Sequence, residues 1–255
     1  MTLRLNREML QTYGRPMAAS STNNNGNLIV GFSSFIWAVS GGNLTQGWGV
    51  TNPRWTTLGN NLIASNRNAD FLFVHGLVMI AGADTVITSY TCAGMQGRVV
   101  CQANSGGMIA AIVCCVGMGG RMDTANNTDV IQTTGTAPIA ATSDLYCYTG
   151  RPQLRFFDAV STAIGTTPGT ITVAGVGTGA LTPIGIAVAV NDVNAANNCV
   201  WSGTATSLTE DNQEAAINTN NRRSHASLAG NGTVISTWDV ASTVGCSLAV
   251  AVFGN

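Results

Sequence analysis

DFLFVHGLVMIAGADTVITSYTC, residues 70–92, decides the fold class. An unbroken apolar run from Asp70 to Ala81 meets a Gly-Ala-Asp turn, and a β-branched, Thr-rich run from Thr85 to Cys92 follows. Short apolar or β-branched runs separated by turn residues are the pattern of a sheet protein. The same style recurs on both sides of this stretch. Upstream stands Leu28–Ser40; downstream come Gly97–Ala103, Gly107–Met118, Pro152–Ser161, Gly169–Gly177, Gly185–Asp192, Cys199–Thr209, Ser224–Gly230, Val234–Val240 and Cys246–Phe253. The expectation is an all-β chain in which two antiparallel sheets pack as a jelly-roll-like sandwich. Both halves contain an apolar strand closed by a turn and followed by Thr-rich strands, which suggests an internal likeness, but no period of repeat-protein length is present.

Helical spacing is confined to residues 2–13, where Leu5, Met9 and Tyr13 alternate with Arg4, Arg7 and Glu8. The run Ala18–Gly26, AASSTNNNG, is small, polar and turn-rich, as in a tether. Residues 1–26 therefore read as an arm and linker, and 27–255 as one β-sandwich domain. A segment as short as 2–13 does not hold a helix alone in water, so Leu3, Leu5, Met9, Leu10 and Tyr13 are expected to dock on a partner surface. The alternative is that the arm folds back on its own sandwich as an edge strand or cap.

Charged residues make up 9% of the chain and its formal net charge is −1, so little electrostatic repulsion keeps copies apart. Self-association is expected. All 11 basic residues are arginines and they are scattered, so no concentrated cationic face argues for nucleic acid. No apolar stretch is long enough for a membrane-spanning helix, and Met1–Met9 lacks the apolar core of a secretion signal. The seven cysteines are odd in number and sit mostly in apolar runs; adjacent Cys114 and Cys115 would point to opposite faces of a strand as small buried hydrophobes. Assembly in a reducing cytoplasm follows.

Catalytic and metal signatures are missing from the sequence. His75 lies in an apolar strand, and neither it nor His225 belongs to a nucleophile motif. No zinc-ligand spacing occurs, and no cofactor is expected. The oxygen-rich stretches Asp123–Asp129 and Asp192–Asn198 leave calcium open, although Asp and Asn also favour turns for backbone reasons. Asp211 and Glu214 read as a solvated polar loop with Glu210, and Gly175–Gly179 as a turn. Trp48, Trp55 and Trp201 stand beside glycine or polar residues where a sugar-stacking face is conceivable; Trp37 and Trp238 read as core.

In order, the Asn27–Val39 strand, the WTTL segment Trp55–Leu58 and the block Asp70–Thr88 form one pattern; GIAVAVNDVN, Thr204–Thr209, SHASLAG and STVGCSLAVAVF form a closing one. Together they resemble the β-sandwich structural proteins of tailed bacteriophages, with Arg54 and Ala83 standing where that pattern has glycine. The resemblance implies a non-enzymatic virion protein assembled in the host cytoplasm: a capsid decoration, head fibre, tail or baseplate appendage. It further implies a trimer and an arm that docks on other virion proteins. The competing expectations are an adhesin that binds host surface glycans through Trp48, Trp55 and Trp201, and a polysaccharide-degrading enzyme on a similar fold.

Overall fold

The computed structural model describes residues 29–37, 47–51, 70–92, 95–118, 128–149, 153–162, 165, 168–173, 184–193, 197–206, 208–215, 221–228 and 230–254. The chain is all-β. Its strands are Ile29–Trp37 (β1), Gly47–Thr51 (β2), Asp70–Ile80 (β3), Val86–Cys92 (β4), Met95–Gln96 (β5), Arg98–Ser105 (β6), Met108–Met118 (β7), Thr128–Thr134 (β8) and Ala140–Thr149 (β9) in the first half. The second half holds Gln153–Thr162 (β10), Pro168–Val173 (β11), Ile184–Asn191 (β12), Cys199–Gly203 (β13), Thr209–Ala215 (β14), Arg222–Leu228 (β15), Gly232–Trp238 (β16) and Cys246–Gly254 (β17). All strand pairs are antiparallel.

The sandwich expected from the sequence occurs twice in tandem. In the first half β1 pairs with β9, β2 with β8, β3 with β7 and β4 with β5, which is the nested pairing of one long hairpin rolled up across two sheets. Rolling brings the remaining neighbours together and gives an inner sheet β1-β9-β3-β7-β6 and an outer sheet β2-β8-β4-β5. In the second half β10 pairs with β17, β11 with β16 and β12 with β15, giving an inner sheet β10-β17-β12-β15-β14 and an outer sheet β11-β16-β13. Both inner sheets therefore have one strand order, and the halves differ at the tip of the hairpin, where the first carries the extra strand β5. This is jelly-roll connectivity.

The two inner sheets pack face to face, so four layers stack as outer, inner, inner, outer. One core cluster joins Leu72, Val74, Val78 and Ile80 of β3, Met108, Ala110, Ile112 and Cys114 of β7, Ile186, Val188 and Val190 of β12, and Ala249, Ala251 and Phe253 of β17. A second cluster lies between the inner and outer sheets of the second half and uses the alternate residues Ala187, Ala189, Leu248, Val250 and Val252 with Val234 and Trp238. The inner strands are thus buried on both faces, which is why they read as continuous apolar runs instead of alternating ones. Sizes are balanced across the layers. β12 turns its valines to the central core and its alanines outward, whereas β17 does the reverse.

Hydroxyls and a thiol stitch the central interface. Ser247 Oγ donates to the Met108 carbonyl at 2.7 Å, Ser105 Oγ to Thr162 at 2.9 Å, Ser161 Oγ to Asn104 at 2.9 Å and the Cys101 thiol to Val250 at 3.6 Å. The β6–β7 hairpin that makes several of these contacts turns on Gly106 and Gly107, both at positive φ, 59° and 94°.

The domain boundary and arm expected at residues 1–26 lie outside the described residues, as does the Gly175–Gly179 turn. Strands β2, β5, β8, β9 and β14 fall outside the apolar and β-branched runs read from the sequence. Residues 128–134 form β8, so Thr128 and Asp129, the end of one oxygen-rich stretch, belong to a ladder, and Glu210, Asp211 and Glu214 lie on β14 instead of in a loop. Pairing with β15 imposes the extended backbone on a sequence of low strand propensity.

Because Ile186 is fully buried between the inner sheets, Ile186→Ala is expected to lower the unfolding free energy by about 2–5 kcal/mol with the sheet content intact. Denaturant unfolding followed by far-ultraviolet circular dichroism checks this; a loss under about 1 kcal/mol would mean that the sheets do not enclose this residue.

Candidate functional site

Among the described residues, strand β15 carries the densest set of polar side chains in the interior: Arg223, Ser224 and His225 are at most 1% exposed. Alternation sends Arg223 and His225 toward the central interface and Ser224 toward the outer sheet. His225 Nε2 lies 2.8 Å from the carbonyl oxygen of Gly76 on β3, and its Nδ1 lies 3.2 Å from Arg223 Nη1. A carbonyl only accepts, so Nε2 carries the proton and donates; Nδ1 then accepts from the guanidinium, and the ring is neutral. In register, Arg223 stands opposite Glu214 on β14, and Gly76 opposite Asp144 on β9.

Gly76 makes this contact sterically feasible. A Cβ there would meet His225 Cδ2 at 2.6 Å and Nε2 at 3.0 Å. The glycine interrupts the apolar run of β3 so that an imidazole from the other half can reach its backbone. His75, one residue earlier, faces the opposite way. Its Nδ1 lies 3.1 Å from Ser143 Oγ, and its ring meets Tyr90 edge-on at a centroid distance of 5.4 Å. Both histidines are fully buried, and the described contacts of each hold neighbouring sheets together.

On the other face of β15, Trp201 Nε1 donates to Ser224 Oγ at 2.7 Å and Ser224 Oγ donates to Glu210 Oε1 at 3.0 Å. The half-buried Trp201 ring packs on the core between the second inner and outer sheets. Of the other tryptophans considered for sugar stacking, Trp48 is on β2, in register with Ile131, and Trp55 lies outside the described residues. Leu3, Leu5, Met9, Leu10 and Tyr13 also lie outside them.

The second oxygen-rich stretch is used internally where it is described. The Asp192 carboxylate accepts from the amides of Thr243 at 2.9 Å and Val244 at 2.7 Å, and from the Thr243 hydroxyl. Asn197 Oδ1 accepts from the Val240 amide at 2.8 Å, and its Nδ2 donates to Val193. Two loops are thereby pinned together. Among the described residues no group of three or more His, Cys, Asp or Glu side chains is placed to hold a metal ion. At the corresponding end of the first half, Asp84 accepts from the Thr136 amide at 3.1 Å, and Thr136 holds its carboxyl below the usual aspartate range. Asn104 Nδ2 donates to the Gly82 and Thr85 carbonyls nearby.

Cys101, Cys114, Cys115, Cys199 and Cys246 are free thiols. Cys114 joins the central core while the Cys115 thiol points to the Gln96 carbonyl at the outer sheet, as opposite strand faces require. Burial pushes the Cys101 and Cys114 thiols up to about 12 and the Cys199 thiol higher still. None of these three is a poised nucleophile. Compared with known proteins, the chain matches no family model, no curated protein and no solved structure.

Gly76→Ala is expected to cost about 1–3 kcal/mol of stability through the clash with His225. The pair Gly76→Ala with His225→Ala should cost less than the sum of the two single changes, by about 0.5–3 kcal/mol. A double-mutant cycle in urea measures this, and strict additivity would show that the two residues do not meet. A thiolate is the species that alkylates, so Cys101, Cys114 and Cys199 should remain unmodified by iodoacetamide at pH 8 in the folded protein and react in denaturant. Peptide mass mapping reads each site separately; rapid native labelling of Cys114 or Cys199 contradicts its burial, and of the half-buried Cys101 the upward push on its thiol.

Proposed function

We propose that this chain is a structural protein of a bacteriophage-like virion, with no catalytic duty, whose work is to present an outer surface. The observation that supports the reading best is the tandem jelly roll with its two inner sheets pressed together. Such a stack is a rigid four-layer block, and jelly rolls are a common architecture of capsid and lectin domains. The interior polar groups fit the same role, since His225, Arg223, Ser247 and Asp192 each make bonds that hold sheets or loops in place. A net charge of −1 with 9% charged residues suits a subunit that packs against other subunits.

Immunogold labelling tests this directly. An antibody raised against the folded chain is expected to mark one fixed place, on the head, the tail or an appendage, of tailed particles concentrated from a culture that carries the gene. Recovery of the chain wholly outside the particle fraction, with unlabelled particles, would remove the virion role and leave the fold untouched.

A further inference from the structure

Large apolar side chains that the described surface exposes are concentrated at one end of the stack. Val86, Ile139, Val200, Val240 and Val244 all lie in or beside loops at the end marked by Ile80, Ala140 and Asn191, and of the six exposed ones only Val116 sits at the opposite end. Both halves share this end. Gly106 lies against Val244, Gly245 against Ser105, and Ser247 bonds Met108. The loops that form it are held stiffly by the Asp192, Asn197 and Asn104 side chains. Ile139 is the most exposed of the six at 64%, while its backbone amide is tied to the Ile80 carbonyl at 2.8 Å.

Strand β1 begins at the other end. Ile29, the first residue of β1, pairs with Tyr148, beside the Phe71–Thr149 pair, whereas Trp37 pairs with Ala141 next to the apolar rim. A strand of this length rises about 30 Å. Residues 2–13 contain Arg4 and Arg7 against Glu8, a net charge of +1 (2 − 1), besides the apolar Leu3, Leu5, Met9, Leu10 and Tyr13. The rim has the complementary composition. Asp84 and Asp239 are exposed there among the valines and Ile139, and bonds from Thr136 hold the Asp84 carboxyl below the usual aspartate range; among the described residues the one arginine at the rim, Arg222, is half-buried and bonded to Asn198.

We propose that the apolar, acidic rim receives residues 2–13 of a second copy of this chain, so that copies join head to tail. The first residue of β1 lies about 30 Å from the rim of its own copy, whereas a copy placed end to end brings a rim beside that residue. An amphipathic segment laid into an apolar site, with arginines beside rim carboxylates, uses a common recognition mode. The contact is heterologous, so it closes into a ring if the rotation allows and otherwise propagates. It rests on the structural role proposed above only in treating the chain as an assembly component.

Two full-length variants separate the two sides of the contact: Ile139→Lys alters the rim and Leu5→Asp the segment. By light scattering at low salt the unaltered chain is expected as a multiple of 26.2 kDa and each variant as a single 26.2 kDa species. Mixed in equal amounts, the variants should form a one-to-one dimer, because the segment of the rim variant is intact and so is the rim of the segment variant. Each must keep the unaltered thermal midpoint. Retention of the full assembly by either variant, a mixture that stays monomeric, or a monomeric unaltered chain would each overturn the proposal. A monomeric chain whose midpoint drops on Leu5→Asp would instead place the segment on its own sandwich, again overturning it. Gold on particles together with a monomeric chain in solution would leave the virion role standing and sink the head-to-tail contact alone.

Discussion

Burial of both faces of the inner sheets is the constraint from which the other features follow. A sheet with one wet face can place polar side chains toward water, but β3, β7, β12 and β17 have no such face along their buried lengths. Their side chains must therefore be apolar and matched in volume, or polar and fully engaged. Alternating valine and alanine on β12, with the opposite phase on β17, meets the first requirement. Ser247 and His225 meet the second by bonding backbone carbonyls of the facing sheet. Gly76 is the spatial counterpart of the second solution, because an imidazole between two sheets needs room that a side chain on β3 would fill.

The same constraint explains how much of the fold could be read from sequence. The inner strands announce themselves as continuous apolar runs, and the jelly-roll-like sandwich follows from the number of such runs between turns. That there are two sandwiches did not follow, since a strand buried in a four-layer stack and one in the middle of a single large sandwich have the same composition. Strands β8, β9 and β14 were missed for another reason. TDVIQTT and TEDNQEA carry Thr, Asp or Glu at most positions and AATSDLYCYT opens on AATSD, and their extended state comes from their neighbours: β9 lies between β1 and β3, and β14 is held by β15. Ser143 on β9 shows the cost of reading polarity as exposure, because it is fully buried against His75.

Site residues were legible to a lesser degree. An interior or strand-face place for His75 followed from the apolar run around it, and opposite faces for Cys114 and Cys115 from strand alternation. The Gly76–His225 contact did not, because its partners are 149 residues apart and no local pattern links them. The signal available was a lone glycine inside an otherwise apolar strand, which marks a close approach without naming what approaches. For Asp192 and Asn197 the ambiguity between cation ligands and turn residues was chemical: the same oxygens serve either purpose, and only the amides of Thr243, Val244 and Val240 within bonding distance distinguish them.

The repeated half also carries an asymmetry with mechanical consequences. Both halves use one strand order, yet the central interface is not held in the same way across its width. Near β6 and β10 it is stitched by Ser105, Ser161 and Cys101, short side chains that reach a carbonyl on the facing sheet only when the two backbones lie close. At β3 and β15 the bridge is His225, whose longer side chain spans the gap and is itself braced by Arg223. Short bridges along one side and a long one on the other fix the sheets in a single relative orientation, since sliding by one residue would strand several donors and move the imidazole off its glycine. Apolar packing alone tolerates such slips far better than directional bonds do. Uniqueness of the stack thus rests on a few polar groups, while most of its stability comes from the apolar layers around them.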